Sequence, residues 1–185
     1  MVQGSRVYTV EEFEAIIEQS ESENRLLELI DGEIVEKVPT ELHSIVSGNI
    51  FAELREFVKL HNLGRVVFEV RYHVPGDEAN ARIPDVSFTG VERLLPVVEK
   101  GAVPQMPDLC IEVQSPGDSP KKMRDKATYY LENGARLVWL VYPKKRMIEV
   151  QYPDGEFDMF SAGETLTGGD VLPGFAMPVS KAFEA

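Results

Sequence analysis

The chain has 185 residues, with 31 Asp and Glu against 19 Lys and Arg, a net charge of −12 and a pI near 4.7. Hydrophobic residues make up 43% of it, enough to bury the core of one domain, so a disordered acidic tail is excluded. The acid excess also excludes histone-like or ribosomal proteins and polybasic membrane-surface proteins, and confines any nucleic-acid role to a local basic patch or to metal ions.

In chain order, Thr9-Val10-Glu11-Glu12 fits a capping box, which predicts a helix from Val10 to about Gln19. Ser20 to Asn24 is a polar break. Leu26–Ile30, the dipeptide Asp31-Gly32 and Glu33–Glu36 predict a hairpin with a tight turn. After Pro39-Thr40, the spacing of Leu42, Ile45, Val46, Ile50, Leu54, Phe57 and Val58 predicts a long helix from Glu41 to about His61, stopped by Gly64. Arg65–Val74 and Ala81–Phe88 are predicted strands, separated by a Pro75-Gly76-Asp77 turn, the second with Pro84 near its start. A looser connection, Leu94–Gln105, precedes a third strand, Asp108–Gln114, apolar enough to be central. Ser119 caps a helix whose first residue is Pro120, running to about Asn133 and ending at Gly134. Leu137–Val141 is a buried strand, followed by a hairpin (Met147–Tyr152, Glu156–Phe160) and a Gly- and Pro-rich tail. No repeat or long linker divides the chain, so a mixed α/β domain with one sheet flanked by helices is expected.

The lone Cys110 sits in an apolar run and predicts packing rather than chemistry; it excludes an internal disulfide framework. No run of about 18 apolar residues exists, and Met1–Arg6 leads into no apolar stretch. The expectation is therefore a reduced, cytoplasmic protein without a membrane span or a secretory signal. CxxC, HExxH, GxGxxG, P-loop and GxSxG patterns are all missing, which argues against dinucleotide, nucleoside-triphosphate and α/β-hydrolase chemistry.

Charge is unevenly placed. Residues 121–146 carry eight basic and two acidic side chains, whereas residues 1–60 carry five and thirteen. The plain reading of the basic segment is a solvated helix face; the sharper one is a local anion site.

Two carboxylates fall on predicted central strands, Asp85 and Glu112. An acid in an apolar strand must be paired, protonated or metal-bound. Pairing with Arg or Lys is the bland outcome, but two such acids on strands separated by one connection suggest a shared site, whose oxygens would suit Mg²⁺ or Mn²⁺. Gln114 lies two residues after Glu112 and is expected on the same face, with Val113 packing behind. On the following helix, Lys122, Lys126 and Tyr129 share a face, and Lys126 and Tyr130 are i, i+4 neighbours. An exposed lysine is the plainer reading there, but the helix starts close enough to the third strand for a lysine to reach the acids. Glu28 alternates with leucines, so inward and outward orientations are both open. Glycoside hydrolysis by the paired acids is disfavoured by the single Trp, which offers little surface for sugars.

Pro84-Asp85, Glu112-Val113-Gln114 and a helix with Lys126 together resemble the PD-(D/E)XK nuclease motif. The wider text is similar to a bacterial family of restriction-endonuclease-like proteins in that superfamily. The shared pieces are Leu27–Glu33, His43, Pro84-Asp85-Val86, Ile111–Pro116, Asp118, Lys126, Tyr130, Gly134 and Leu137–Val141, spread over roughly residues 8 to 152. The resemblance implies a restriction-endonuclease-like fold with a central mixed sheet and extra hairpins at both ends. It implies one domain over 1–185, with a core at about 41–142, an N-terminal helix and hairpin at 8–38 and a C-terminal hairpin and tail at 146–185. It also implies a Mg²⁺- or Mn²⁺-dependent endonuclease acting on DNA, with Asp85, Glu112 and the Val113 carbonyl as metal ligands. The superfamily places a lysine two residues after the Glu; here that position is Gln114, so the resemblance transfers the basic role to Lys126, with Lys122 in reserve. Gln114 would orient the water or Lys126, while Glu28, His43 and Tyr130 are secondary candidates. The basic segment would give weak phosphate contacts at the cleft mouth. Two copies would pair to cut two strands, with Val171–Phe183 at the interface or, equally, over the chain's own sheet edge. The alternative is a nuclease-fold protein that binds nucleic acid or a partner without cutting; an unrelated enzyme or a structural domain stands third.

Overall fold

In the computed structural model, residues 6–19 and 25–185 are described; residues 1–5 and the polar stretch 20–24 lie outside them. Helix α1 (Val10–Gln19) starts with the expected box: Thr9 Oγ1 accepts from the Glu12 N–H, and Glu12 Oε2 accepts from the Thr9 N–H. Strands β1 (Leu26–Ile30) and β2 (Glu33–Lys37) form a two-stranded sheet in which Ile30 pairs with Glu33 and Glu28 with Val35. Asp31 and Gly32 both take positive φ, 50° and 80°, as this tight turn requires.

Helix α2 (Glu41–His61) is capped by Thr40, whose side chain accepts from the His43 N–H. It ends at His61 as expected, but Asn62 rather than Gly64 stops it. Asn62, at φ 53°, is the left-handed cap, and its N–H bonds back to Lys59 and Val58. Gly64 instead opens β3 (Gly64–Phe68), where a Cβ would lie 2.1 Å from the Thr89 carbonyl oxygen.

A six-stranded sheet runs β3, β4 (Val86–Gly90), β5 (Leu109–Val113), β6 (Leu137–Tyr142), β7 (Met147–Gln151), β8 (Phe157–Ser161). Only β5 and β6 are parallel; α3 (Pro120–Glu132) makes their crossover. Alternation sorts the two faces. Val86, Phe88, Leu109, Ile111, Trp139 and Val141 pack under α2, while Cys110, Val138, Leu140 and Tyr142 pack under Met123, Ala127 and Tyr130 of α3.

Two expectations are corrected. The strand expected over Arg65–Val74 ends at Phe68, because Glu69 turns the chain at φ 53°, after which Tyr72 bonds sideways to Arg82, and Arg71 and His73 bond to Val103. The strand expected over Ala81–Phe88 starts at Val86, behind Pro84, which has no N–H for a ladder; Ala81 and Arg82 make isolated bridges to Leu29 and Tyr72. The Gly- and Pro-rich tail, in which no elements were expected, folds as β9 (Thr165–Gly168) and β10 (Leu172–Pro178), a hairpin with an irregular register between Leu172 and Ala176, followed by a 3₁₀ turn at Val179–Phe183. Leu172, Phe175, Met177, Val179 and Ala182 are buried in the core beneath α2, so this segment covers the chain's own interior. Among the described residues, no helix is long and apolar enough to cross a membrane.

Candidate active site

The register of β4 and β5 decides where the two acids meet. Val86 stands opposite Ile111 and Ser87 opposite Cys110, so Asp85 falls opposite Glu112, and both turn toward α3. The Asp85 N–H bonds to the Ile111 carbonyl oxygen at 3.0 Å, and the Val113 N–H donates to Asp85 Oδ2 at 2.6 Å. Asp85 is 0% and Glu112 2% exposed, so their charges must be balanced inside the protein.

Two ammonium groups do this. Lys37, the last residue of β2, places Nζ 2.6 Å from Asp85 Oδ1, 2.7 Å from the Ile83 carbonyl oxygen and 3.9 Å from Glu112 Oε2. Lys126 of α3 donates to Glu112 Oε2 at 2.9 Å and lies 3.6 Å from Glu28 Oε2. Glu28 is itself buried, and its Oε1 accepts from the Ile83 N–H at 2.7 Å. Tyr130 donates to Glu112 Oε1 at 2.5 Å. His43 Nε2 donates to Asp85 Oδ2 at 3.1 Å, leaving its buried Nδ1 without a hydrogen-bond partner. Every oxygen of the two acids is therefore engaged.

The electrostatics are asymmetric. Burial works against charge on Asp85, but Lys37 and His43 outweigh it and hold the carboxyl below the usual carboxylate range. For Glu112 burial prevails over Lys126 and Lys37, helped by the charges of Asp85 and Glu28, so its pKa is raised. Burial alone would lower Lys37 and Lys126, yet the facing carboxylates hold both above the ordinary lysine value. Tyr130 is pushed up by burial and by the Glu112 charge.

The cluster forms the floor of a cavity of about 610 Å³. One face of the β1–β2 hairpin roofs it, through Leu26, Glu28, Ile30, Glu33, Val35 and Lys37. Among the described residues its lining holds ten carboxylate side chains against four lysines and arginines, so the cavity shares the sign of the whole chain.

Of the residues singled out from sequence, Asp85, Glu112, Lys126, Glu28, His43 and Tyr130 come together. Gln114 does not join them. It follows the last residue of β5, where strand alternation lapses, and its amide donates to the Asp118 carbonyl oxygen at 2.9 Å. Lys122 stands exposed at the cavity rim. Of the basic segment, Lys122 and Lys126 line the cavity and Lys144 lines an adjoining pocket that shares His43, Ser115 and Asp118 with it, while Arg124 pairs with Glu149, Arg136 with Asp108 and Lys121 with Asp125. Sequence reasoning missed Lys37 and Glu69. The signal for Lys37 was present: the Asp31-Gly32 turn fixes the register, Glu28 opposes Val35, and Lys37 is two residues further along the same face. Glu69 lines the cavity beside Asp85, its N–H bonded to the Asp85 carbonyl oxygen at 3.1 Å, and burial raises its pKa. Nothing in the spacing announces it.

Among the described residues, no group of three His, Cys, Asp or Glu side chains is placed to hold a metal ion by itself. The donor set offered is the two carboxylates, with Val113 lining the same cavity. That set fits Mg²⁺, which binds through one or two carboxylates and keeps several waters or substrate oxygens. A cation already sits between them, the Lys37 ammonium.

A mixed sheet with one parallel pair, a crossover helix and two acids facing each other across β4 and β5 defines a restriction-endonuclease-like fold. The chain belongs to the family described as "Uma2: Putative restriction endonuclease", whose profile matches residues 10–180. It is also similar to the crystal structure of "a putative nuclease belonging to DUF820" from Anabaena variabilis ATCC 29413, at 25% sequence identity and a TM-score of 0.78, over 95% of this chain and 97% of that one. No curated protein matches.

Proposed function

We propose that the chain is a metal-dependent endonuclease that hydrolyses phosphodiester bonds in DNA, acting as one domain. The observation that carries this is the cross-strand pair Asp85–Glu112, buried at the floor of a cavity in a fold of this family. Bound by Asp85, Glu112 and the Val113 main-chain carbonyl, Mg²⁺ or Mn²⁺ would polarise a phosphodiester oxygen and lower the pKa of a water. The remaining work falls to the chain's own groups. Lys126, beside Glu112 on the cavity wall, stabilises the charge that grows on the phosphate. His43 and the Val113 N–H hold Asp85, Tyr130 holds Glu112, and Glu28 keeps Lys126 in reach.

The test is a cleavage assay on single-stranded, duplex and branched DNA with Mg²⁺ or Mn²⁺. Wild type is expected to cut, and Asp85→Ala and Glu112→Ala to be inactive; full activity in either variant overturns the assignment. The saturated hydrogen bonding of the two acids and the acidic lining favour a second reading, a nuclease-fold protein that binds nucleic acid or a partner without cutting. Metal-dependent retention of DNA with no cleavage of any substrate would select it.

A further inference from the structure

The geometry points to Lys37 as a positioning residue whose ammonium keeps the place between Asp85 and Glu112 that the divalent metal takes, and which swings out when the metal binds. This rests on the metal-dependent reading above. Three observations carry it.

The first is position. Lys37 Nζ is within 4 Å of both acids, whereas Lys126 pairs with Glu112 and Glu28, so of the two ammoniums Lys37 spans the pair. An ammonium 2.6 Å from Asp85 Oδ1 and a metal bound to that oxygen would compete for the same lone pairs.

The second is charge. Asp85, Glu112 and Glu28 place three carboxylates out of water. Against them, Lys37 and Lys126 leave one negative charge uncompensated. One divalent cation together with Lys126 leaves none, so the exchange of Lys37 for the metal neutralises the cluster, while adding a metal beside Lys37 would overshoot it.

The third is a way out. The Lys37 side chain is 14% exposed, against 1–2% for the acids. It hangs from the outer strand of the hairpin, immediately before Val38-Pro39, while among the described residues the hairpin's bridge to the body is made by β1, through Leu29 and Ala81. A flexible four-carbon stem can turn toward solvent without moving either acid. Until then the ammonium keeps two like charges together at the cavity floor.

Two measurements test this on the full chain. In wild type, acetylation by an N-hydroxysuccinimide ester is read residue by residue by mass spectrometry, with and without Mn²⁺. Labelling of Lys37 should rise about fivefold on saturation, with exposed Lys100 as an unchanging control. In parallel, Mn²⁺ binding is followed by electron paramagnetic resonance. Lys37→Met should bind about tenfold more tightly than wild type, Lys37→Arg should keep wild-type affinity, and Asp85→Asn should lose the ion. If Lys37 labelling ignores saturating Mn²⁺, or Lys37→Met binds no better than wild type while Asp85→Asn still loses the ion, the inference falls and the metal-site reading stands. If wild type binds no Mn²⁺ at all, both fall. Should Lys37→Met fail to fold, the wild-type labelling decides alone.

Discussion

Tyr130→Phe isolates one bond of the cluster. The ring is fully buried among Cys110, Met123, Val138 and Leu140, and Phe keeps its volume, so no cavity forms. What is lost is the hydroxyl that donates to Glu112 Oε1 at 2.5 Å. Glu112 is 2% exposed, so water cannot replace the donor, and a hydrogen bond to a charged group contributes about 1.5–3 kcal/mol. For a chain of this size about 2 kcal/mol corresponds to a fall in Tm of roughly 4–8 °C. The size should depend on pH with a definite sign. Because burial raises the Glu112 pKa, the carboxyl takes up a proton as pH falls toward and below its raised value. The bond then becomes a neutral one worth about 1 kcal/mol, so the loss should be larger at pH 8 than at pH 5. Urea unfolding of wild type, Tyr130→Phe, Glu112→Gln and the double variant closes a cycle whose coupling energy should exceed about 1 kcal/mol at pH 8. A Tyr130→Phe loss below about 0.5 kcal/mol at both pH values would refute the view that this hydroxyl is a main support of Glu112.

Three further outcomes are expected. Glu69 is a non-glycine residue at φ 53°, a conformation that costs an L side chain roughly 1–2 kcal/mol and that Asn tolerates better, so Glu69→Asn should raise stability by about 1 kcal/mol in urea titration. Away from the site, burial works to raise the Glu149 pKa, but the two-point contact with Arg124 at 2.8 and 2.9 Å prevails and lowers it. The stability this lends is present above the ordinary value of 4.5 and is lost as pH falls through the lowered one, so unfolding of Arg124→Met should show a flatter acid limb than wild type. Among the described basic side chains of the cavity, Lys37 and Lys126 face carboxylates and Arg82 is held by Asn80, which leaves Lys122 at the rim. Filter binding over a salt series should therefore give a log–log slope no steeper than about −3; a slope near −8, as many phosphate contacts would produce, contradicts this.

The parts of the fold and site that were legible in the sequence share one property: they depend on short-range periodicity. Asp85 and Glu112 stand out because an acid inside a β-branched run is conspicuous, and the antiparallel register then brings them opposite each other. Lys126 and Tyr130 follow from helical spacing once α3 starts at Pro120. What escaped depends on tertiary context. Glu69 is placed by a single positive φ that no residue type signals. Gln114 was put on the Glu112 face by an alternation that ends with β5 at Val113. The local charge of the basic segment does not reveal that Asp108 and Glu149, brought from elsewhere in the fold, pair with its Arg136 and Arg124. The C-terminal hairpin was hidden by Gly174, at φ 83°, and by the shifted register around it, which break the alternation of Leu172, Phe175 and Met177.

The net charge of −12 bears on how a phosphate could reach such a site. The cavity lining keeps the acidic sign, so long-range attraction works against a polyanion at the entrance. The few cations inside are committed to carboxylates at 2.6 and 2.9 Å. A phosphate arriving first would meet paired charges and ten acids, and would gain little from either lysine without breaking a buried ion pair, which is expensive. A divalent cation arriving first meets the opposite field: the same acids draw it in, and it adds positive charge at the floor of the cavity. Under the metal-dependent reading proposed above, the acidity would impose an order, cation before nucleic acid, and affinity for DNA would belong to the loaded protein rather than to the chain alone.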